Sequence, residues 1–79
     1  MKKFDLENKP PTAHYRKKTT VELAHIKEPF KVDTQEGEMS ISPETVDDWD
    51  DGYYIAYPKD GSKPYAISPA FVRQNYESV

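Results

Sequence analysis

Apolar and polar positions alternate along most of this chain, which predicts strands more than helices. From Tyr15, "YRKKTTVELAHI" is rich in β-branched residues, with Val21 and Leu23 on one side and Glu22 on the other, the period-two pattern of a first strand. After Glu28-Pro29, "FKVDT" places Phe30, Val32 and Thr34 on one face. The alternation resumes with Met39 and Ile41 beyond Gly37, so these two runs predict a hairpin. "GYYIAYPKDGSKPYAI" predicts a second hairpin turning at Asp60-Gly61, with Tyr53, Ile55 and Tyr57 on one face and Tyr54 and Ala56 on the other.

Two places break the alternation with a serine followed by proline. "SPETVDDW" predicts a short helix after the third strand, with Ser42 as N-cap, Pro43 at the first helical position, and Val46 and Trp49 turned to the core. "ISPAFV" repeats the opening of "ISPETV" and predicts a C-terminal helix from about Pro69 to Tyr76, packing Val72 and Tyr76 by their i, i+4 spacing. Residues 1–12 lack periodicity and end in Pro10-Pro11, so they read as a loose arm before one small domain over 13–79. The expected fold is α+β: a small antiparallel five-stranded sheet curled toward a barrel, with a short helix after strand 3 and a short C-terminal helix.

Composition changes this picture in one respect. Seventy-nine residues with 35% apolar and 32% charged side chains leave a thin core, which the 13% of aromatic residues enlarge because each buries a large area. The absence of cysteine excludes disulfides and thiolate metal sites. No apolar run reaches a membrane span, and Asp5, Glu7 and Asn8 stand where the apolar part of an export signal belongs, so a cytoplasmic protein is expected.

The net charge of −3 is unevenly spread: residues 1–31 carry eight Lys or Arg against four acids, residues 32–79 three against ten. An acidic surface of this kind disfavours nucleic acid as a direct partner, despite the basic run "HYRKK" at 14–18.

The strongest candidate for chemistry is "ETVDDWDDGYY", Glu44 to Tyr54, with five acids around one tryptophan. As a calcium loop starting at Asp47 it fails, because Trp49 falls at position three and Pro58 at position twelve, where a bidentate glutamate is needed. A magnesium site from Asp47, Asp48, Asp50 and Asp51 would need a phosphate-bearing substrate that nothing suggests, so no metal or cofactor is expected. His14 and His25 are the only side chains titrating near neutrality, and His25 reads as a partly buried, hydrogen-bonded residue of the first strand. The serines lack a nucleophile elbow, and three scattered glycines make no phosphate loop. Enzymatic activity is therefore not expected. Two readings of the acidic stretch stand: a solvated turn with Trp49 as a core plug, or a knuckle whose carboxylates steer, and whose aromatics anchor, a basic groove on another protein.

Four segments in order carry a family resemblance. "YRKKTTVELA" at 15–24, "TQEGEM" at 34–39, "DGYYIAY" at 51–57 and "YAISPAFVRQNYESV" at 65–79 resemble a family of short bacteriophage and prophage proteins of mostly unassigned role. That family's pattern runs "YRKKPVxIEA", "TxEGxM", "PGDYII" and "GExYPxxPDIFxxTYE". The resemblance implies a turn at Gly37 and framework roles for Tyr65, Pro69, Val72 and Tyr76. It transfers no catalytic residue. Asp51-Gly52 stands where the family has Gly-Asp, preceded by an acidic insertion, and Thr19-Thr20 replaces Pro-Val. The expectation is a phage-encoded, non-enzymatic accessory protein in the host cytoplasm that binds and inhibits a host protein with a basic groove, such as a defence factor or nucleic-acid enzyme. Asp48, Trp49, Asp50, Asp51 and Tyr54 are the expected contact residues. A minor virion or assembly component, and a nucleotide-binding module using a tyrosine platform, are the alternatives.

Overall fold

The computed structural model describes residues 1–16 and 20–78. Its strands are β1 (Lys2–Phe4), β2 (Ala13–Arg16), β3 (Thr20–Ile26), β4 (Phe30–Thr34), β5 (Gly37–Ile41), β6 (Tyr53–Tyr57), β7 (Tyr65–Ile67) and β8 (Glu77–Ser78), with one helix, α1 (Pro69–Asn75), before the last. They form a three-stranded sheet in the order β1-β4-β5 and a five-stranded sheet in the order β7-β6-β3-β2-β8. Every pairing is antiparallel except β1 with β4.

This architecture corrects the expected fold. The protein is mostly sheet, in two layers rather than one five-stranded sheet, and no barrel closes among the described residues. The physical reason lies in β3 and β6, which are apolar on both faces. Ala24, Ile26, Ile55 and Tyr57 join Phe30, Val32 and Ile41 of the smaller sheet in one core between the layers. Val21, Leu23 and Ala56 face the other way and are covered by Val72 of α1. A single curled sheet would leave one of these faces in water, and each large side chain so exposed forfeits about 1.5–3 kcal/mol of burial. Phe30, Leu23, Ile55 and Val32 are fully enclosed.

The predicted first strand is a second correction. Residues 15–26 do not run straight: Arg16 pairs with Thr20 and Tyr15 with Val21, so β2 folds back on β3. Lys17, Lys18 and Thr19, which join the two strands, lie outside the described residues, and they include none of the Gly, Pro or Asn residues that mark a tight turn. The N-terminal stretch also differs from a loose arm. Phe4 is buried in the inter-sheet core, its ring 6.1 Å from that of Phe30, and β1 is held in parallel register with β4. Asp5 then turns the chain by accepting the N–H groups of Glu7 and Asn8 at 2.9 and 2.8 Å. Lys9 places its ammonium 4.9 Å from the centre of the Tyr57 ring.

The predicted helix after the third strand does not form; residues 42–51 are a succession of turns. The Ser42 carbonyl accepts Thr45 N–H and Val46 N–H at 2.8 and 3.2 Å, one turn that goes no further. Thr45 is β-branched where the helical copy has Phe71, and Asp48 commits its carboxylate to the Asp50 N–H (2.9 Å), a local bond that competes with helix. The matching "ISPAFV" does become α1: Ser68 Oγ accepts the Phe71 N–H at 3.2 Å, Pro69 opens the first turn, and Val72 is buried against the sheet. The two segments share a cap, and the residues after it decide whether a helix continues.

Both hairpins form as expected. Thr34 pairs with Gly37 across the β4–β5 turn, and Tyr54, Ile55 and Ala56 pair with Ile67, Ala66 and Tyr65.

Candidate functional site

The acidic segment is the crossover from β5 in one sheet to β6 in the other, which explains its shape. On its inner side Val46 and Trp49 pack against the inter-sheet core, both half-buried. The indole N–H of Trp49 is enclosed and meets no hydrogen-bond partner among the described residues. On its outer side Asp47, Asp48, Asp50 and Asp51 are exposed. Asp48 ties the turn through its carboxylate to Asp50 N–H and through its carbonyl to Asp51 N–H at 3.2 Å. Ahead of it, Ser42 Oγ donates to the Glu44 carboxylate at 2.6 Å, and this bond holds the Glu44 pKa below the usual carboxylate value.

The segment is fastened to β3 at its end. Gly52 has φ +72°, in the left-handed region, and a Cβ there would lie 2.5 Å from His25 Nε2 and 2.7 Å from the Ile26 carbonyl oxygen. His25 Nε2 lies 2.8 Å from the Asp51 carbonyl oxygen. A carbonyl only accepts, so Nε2 carries the proton of this bond. The imidazole also lies flat on the Tyr54 ring, centroids 4.4 Å apart at 5°. Tyr54 is the direct cross-strand neighbour of His25. Arg73 of α1 approaches the Asp51 carboxylate at 3.4 Å, both groups open to water.

The five expected contact residues are therefore split. Asp48, Asp50 and Asp51 are exposed on the crossover. Trp49 turns inward to the core between the sheets, whereas Tyr54 lies on the helix-covered face and joins Asp51 through His25. A shallow cleft of about 280 Å³ lined by Asp47, Asp48, Asp51, Tyr53, Ser68 and Pro69 runs along the acidic surface. Sequence reasoning missed His25 and Arg73 as neighbours of this turn. The alternation of Val21, Leu23 and His25 was the available signal for His25, since it sets His25 on the face that Tyr54 shares. Contrary to the expected part-burial, His25 is exposed, while its hydrogen bond is present. Nothing in the chain order announced Arg73, which docking of α1 brings near.

Among the described residues no three His, Asp or Glu side chains gather as a metal site, and no helix is long and apolar enough to cross a membrane. Burial raises the Tyr57 phenol to about 12, with the Asp5 carboxylate adding to it; burial and a hydrogen bond with Tyr65 raise Tyr76 to about 12. Both tyrosines belong to the framework rather than to the acidic turn. The chain matches no protein-family model, no curated protein and no solved structure.

Proposed function

We propose that this is a phage-encoded, non-enzymatic accessory protein that works in the host cytoplasm by binding, and so inhibiting, a host protein with a basic groove, such as a defence factor or nucleic-acid enzyme. The observation carrying the reading is the crossover turn. Four exposed carboxylates stand on a segment pinned from inside by Val46 and Trp49 and closed at Gly52, so little ordering is left for the moment of binding. Asp48, Asp50 and Asp51 supply steering toward a basic partner, and Tyr54, stacked on His25, supplies a rigid aromatic at the flank. Trp49 sets the shape of the turn from beneath. The phage origin rests on the four segments whose order resembles short phage proteins.

The test is affinity capture of the tagged protein from host lysate, with the double variant Asp48→Lys, Asp50→Lys alongside. Both positions are exposed, but Asp48→Lys also removes the carboxylate that accepts the Asp50 N–H, so Asp50→Lys alone is run beside the double variant and urea unfolding checks that each keeps its fold. Loss of a specific host protein from the variant's eluate is the expected result; its undiminished recovery overturns the assignment of the turn.

A further inference from the structure

The two sheets end in four edges, β1, β5, β7 and β8, and three of them are blunted by length. β1 and β7 have three residues each and β8 two, among the described residues. β5 has five residues in unbroken register with β4, and neither a proline nor a bulge interrupts it. Its open side is chemically defined. Gly37 directs its carbonyl toward β4, where it accepts the Thr34 hydroxyl at 2.7 Å. Antiparallel strands alternate, so Gly37, Met39 and Ile41 bond inward, while the N–H and C=O groups of Glu38 and Ser40 point away from β4. Two outward residues at i and i+2, flanking Met39, form a self-complementary template.

We propose that β5 is a homodimerisation edge: a second copy pairs its own β5 antiparallel across a two-fold axis at Met39, joining the two three-stranded sheets into one. In that register Glu38 faces Ser40 of the second copy and Ser40 faces its Glu38, each pair exchanging two backbone bonds. No acid stands directly opposite an acid. The Glu38 carboxylate is moreover compensated within its own chain, by Lys3 at 3.0 Å and Lys31 at 3.7 Å. Met39, 40% exposed although its cross-strand partner Val32 is fully buried, meets its own copy at the axis. Beside it lies a recess of about 420 Å³, with Met39, Thr34, Pro58 and Pro64 among its walls, into which the second Met39 fits. A second copy matches this edge in hydrogen bonding, charge and apolar contact at once. The inference is independent of the acidic turn.

The experiment is sedimentation equilibrium from about 1 μM to about 1 mM, with amide hydrogen exchange at both ends of that range. An interface this small predicts weak association, with Kd on the order of 10–500 μM. The mass is expected to rise from 9.1 kDa toward twice that value. Glu38 and Ser40 amides are expected to become protected as concentration rises. Ser40→Pro removes one outward N–H and leaves the β4 ladder intact. Met39→Glu sets like charges at the axis. Each is expected to weaken association at least about tenfold, whereas Ser40→Ala, which keeps the backbone, leaves it unchanged. A mass that stays at 9.1 kDa throughout overturns the proposal, including the case in which β5 instead accepts a strand from another protein. Dimerisation that survives both Ser40→Pro and Met39→Glu overturns it too, by placing the interface elsewhere. If Ser40→Pro fails to fold, Met39→Glu and the amide protection decide.

Discussion

Replacing Gly52 by alanine tests whether the acidic turn is built onto β3 or merely lies near it. Two costs add. A left-handed φ of +72° costs a residue with a Cβ about 1–2 kcal/mol. The new methyl would sit 2.7 Å from the Ile26 carbonyl oxygen and 2.5 Å from His25 Nε2. The imidazole can swing aside, at the loss of its bond to Asp51 and its stack on Tyr54, but the carbonyl belongs to a paired strand and cannot. Overpacking of this kind costs about 1–3 kcal/mol. Reduced freedom of the unfolded chain returns about 0.4–1 kcal/mol. The expected destabilisation is therefore about 1–5 kcal/mol, centred on about 3 kcal/mol, against the roughly 4–12 kcal/mol available to a chain of 79 residues. Gly61→Ala is the control: its φ is +85°, yet no described residue lies within 4 Å of an added Cβ, so only the backbone cost of about 1 kcal/mol applies. Urea unfolding followed by fluorescence of Trp49, the sole tryptophan, measures both. If the Gly52 variant is no less stable than the Gly61 variant, within about 0.5 kcal/mol, the close approach to β3 does not hold.

The framework gives further expectations. Phe4→Ala removes a buried ring from the inter-sheet core and is expected to cost about 3–5 kcal/mol in the same urea assay; a change below about 1 kcal/mol would mean that residues 2–4 do not pack as a strand. Tyr57 and Tyr76 have folded pKa values raised to about 12 from an ordinary value of 10.0, so their contribution to stability is fully present below pH 10 and is lost as pH climbs toward 12. Ultraviolet titration of the phenolates is expected to show these two ionising late, together with unfolding, and Tyr57→Phe is expected to remove one late step. Ionisation of Tyr57 and Tyr76 near pH 10 in the folded protein would refute this.

Much of the local structure was written in the chain. Phe30, Val32 and Thr34 alternate as they do in β4, the Gly37 and Asp60-Gly61 turns close the hairpins, and Ser68-Pro69 starts α1, because each feature depends on neighbours a few residues away. The inward turn of Val46 and Trp49 was expected too, although from the spacing of a helix that does not form; the two apolar residues reach the core from a turn instead. Where the outcome depended on distant partners, sequence was silent or misleading. "KKF" carries no signal until Phe4 meets Phe30, and the reversal between β2 and β3 has no turn signature. "ISPETV" and "ISPAFV" share a helix opening, yet only the second has Ala70, Arg73 and Gln74, which favour helix, and a sheet face for Val72 to cover.

The acidic stretch shows the same division. Its exposed carboxylates and its closing glycine were fixed by residue type: charged groups stay in water, and a positive φ suits glycine. Only tertiary structure made it the crossover between two sheets, set Asp51 against His25 and Arg73, and sent Trp49 and Tyr54 to opposite sides of β6. The reason is physical. Alternation says which residues share a face but not what covers it, and that cover is assembled here from strands and a helix distant in the chain.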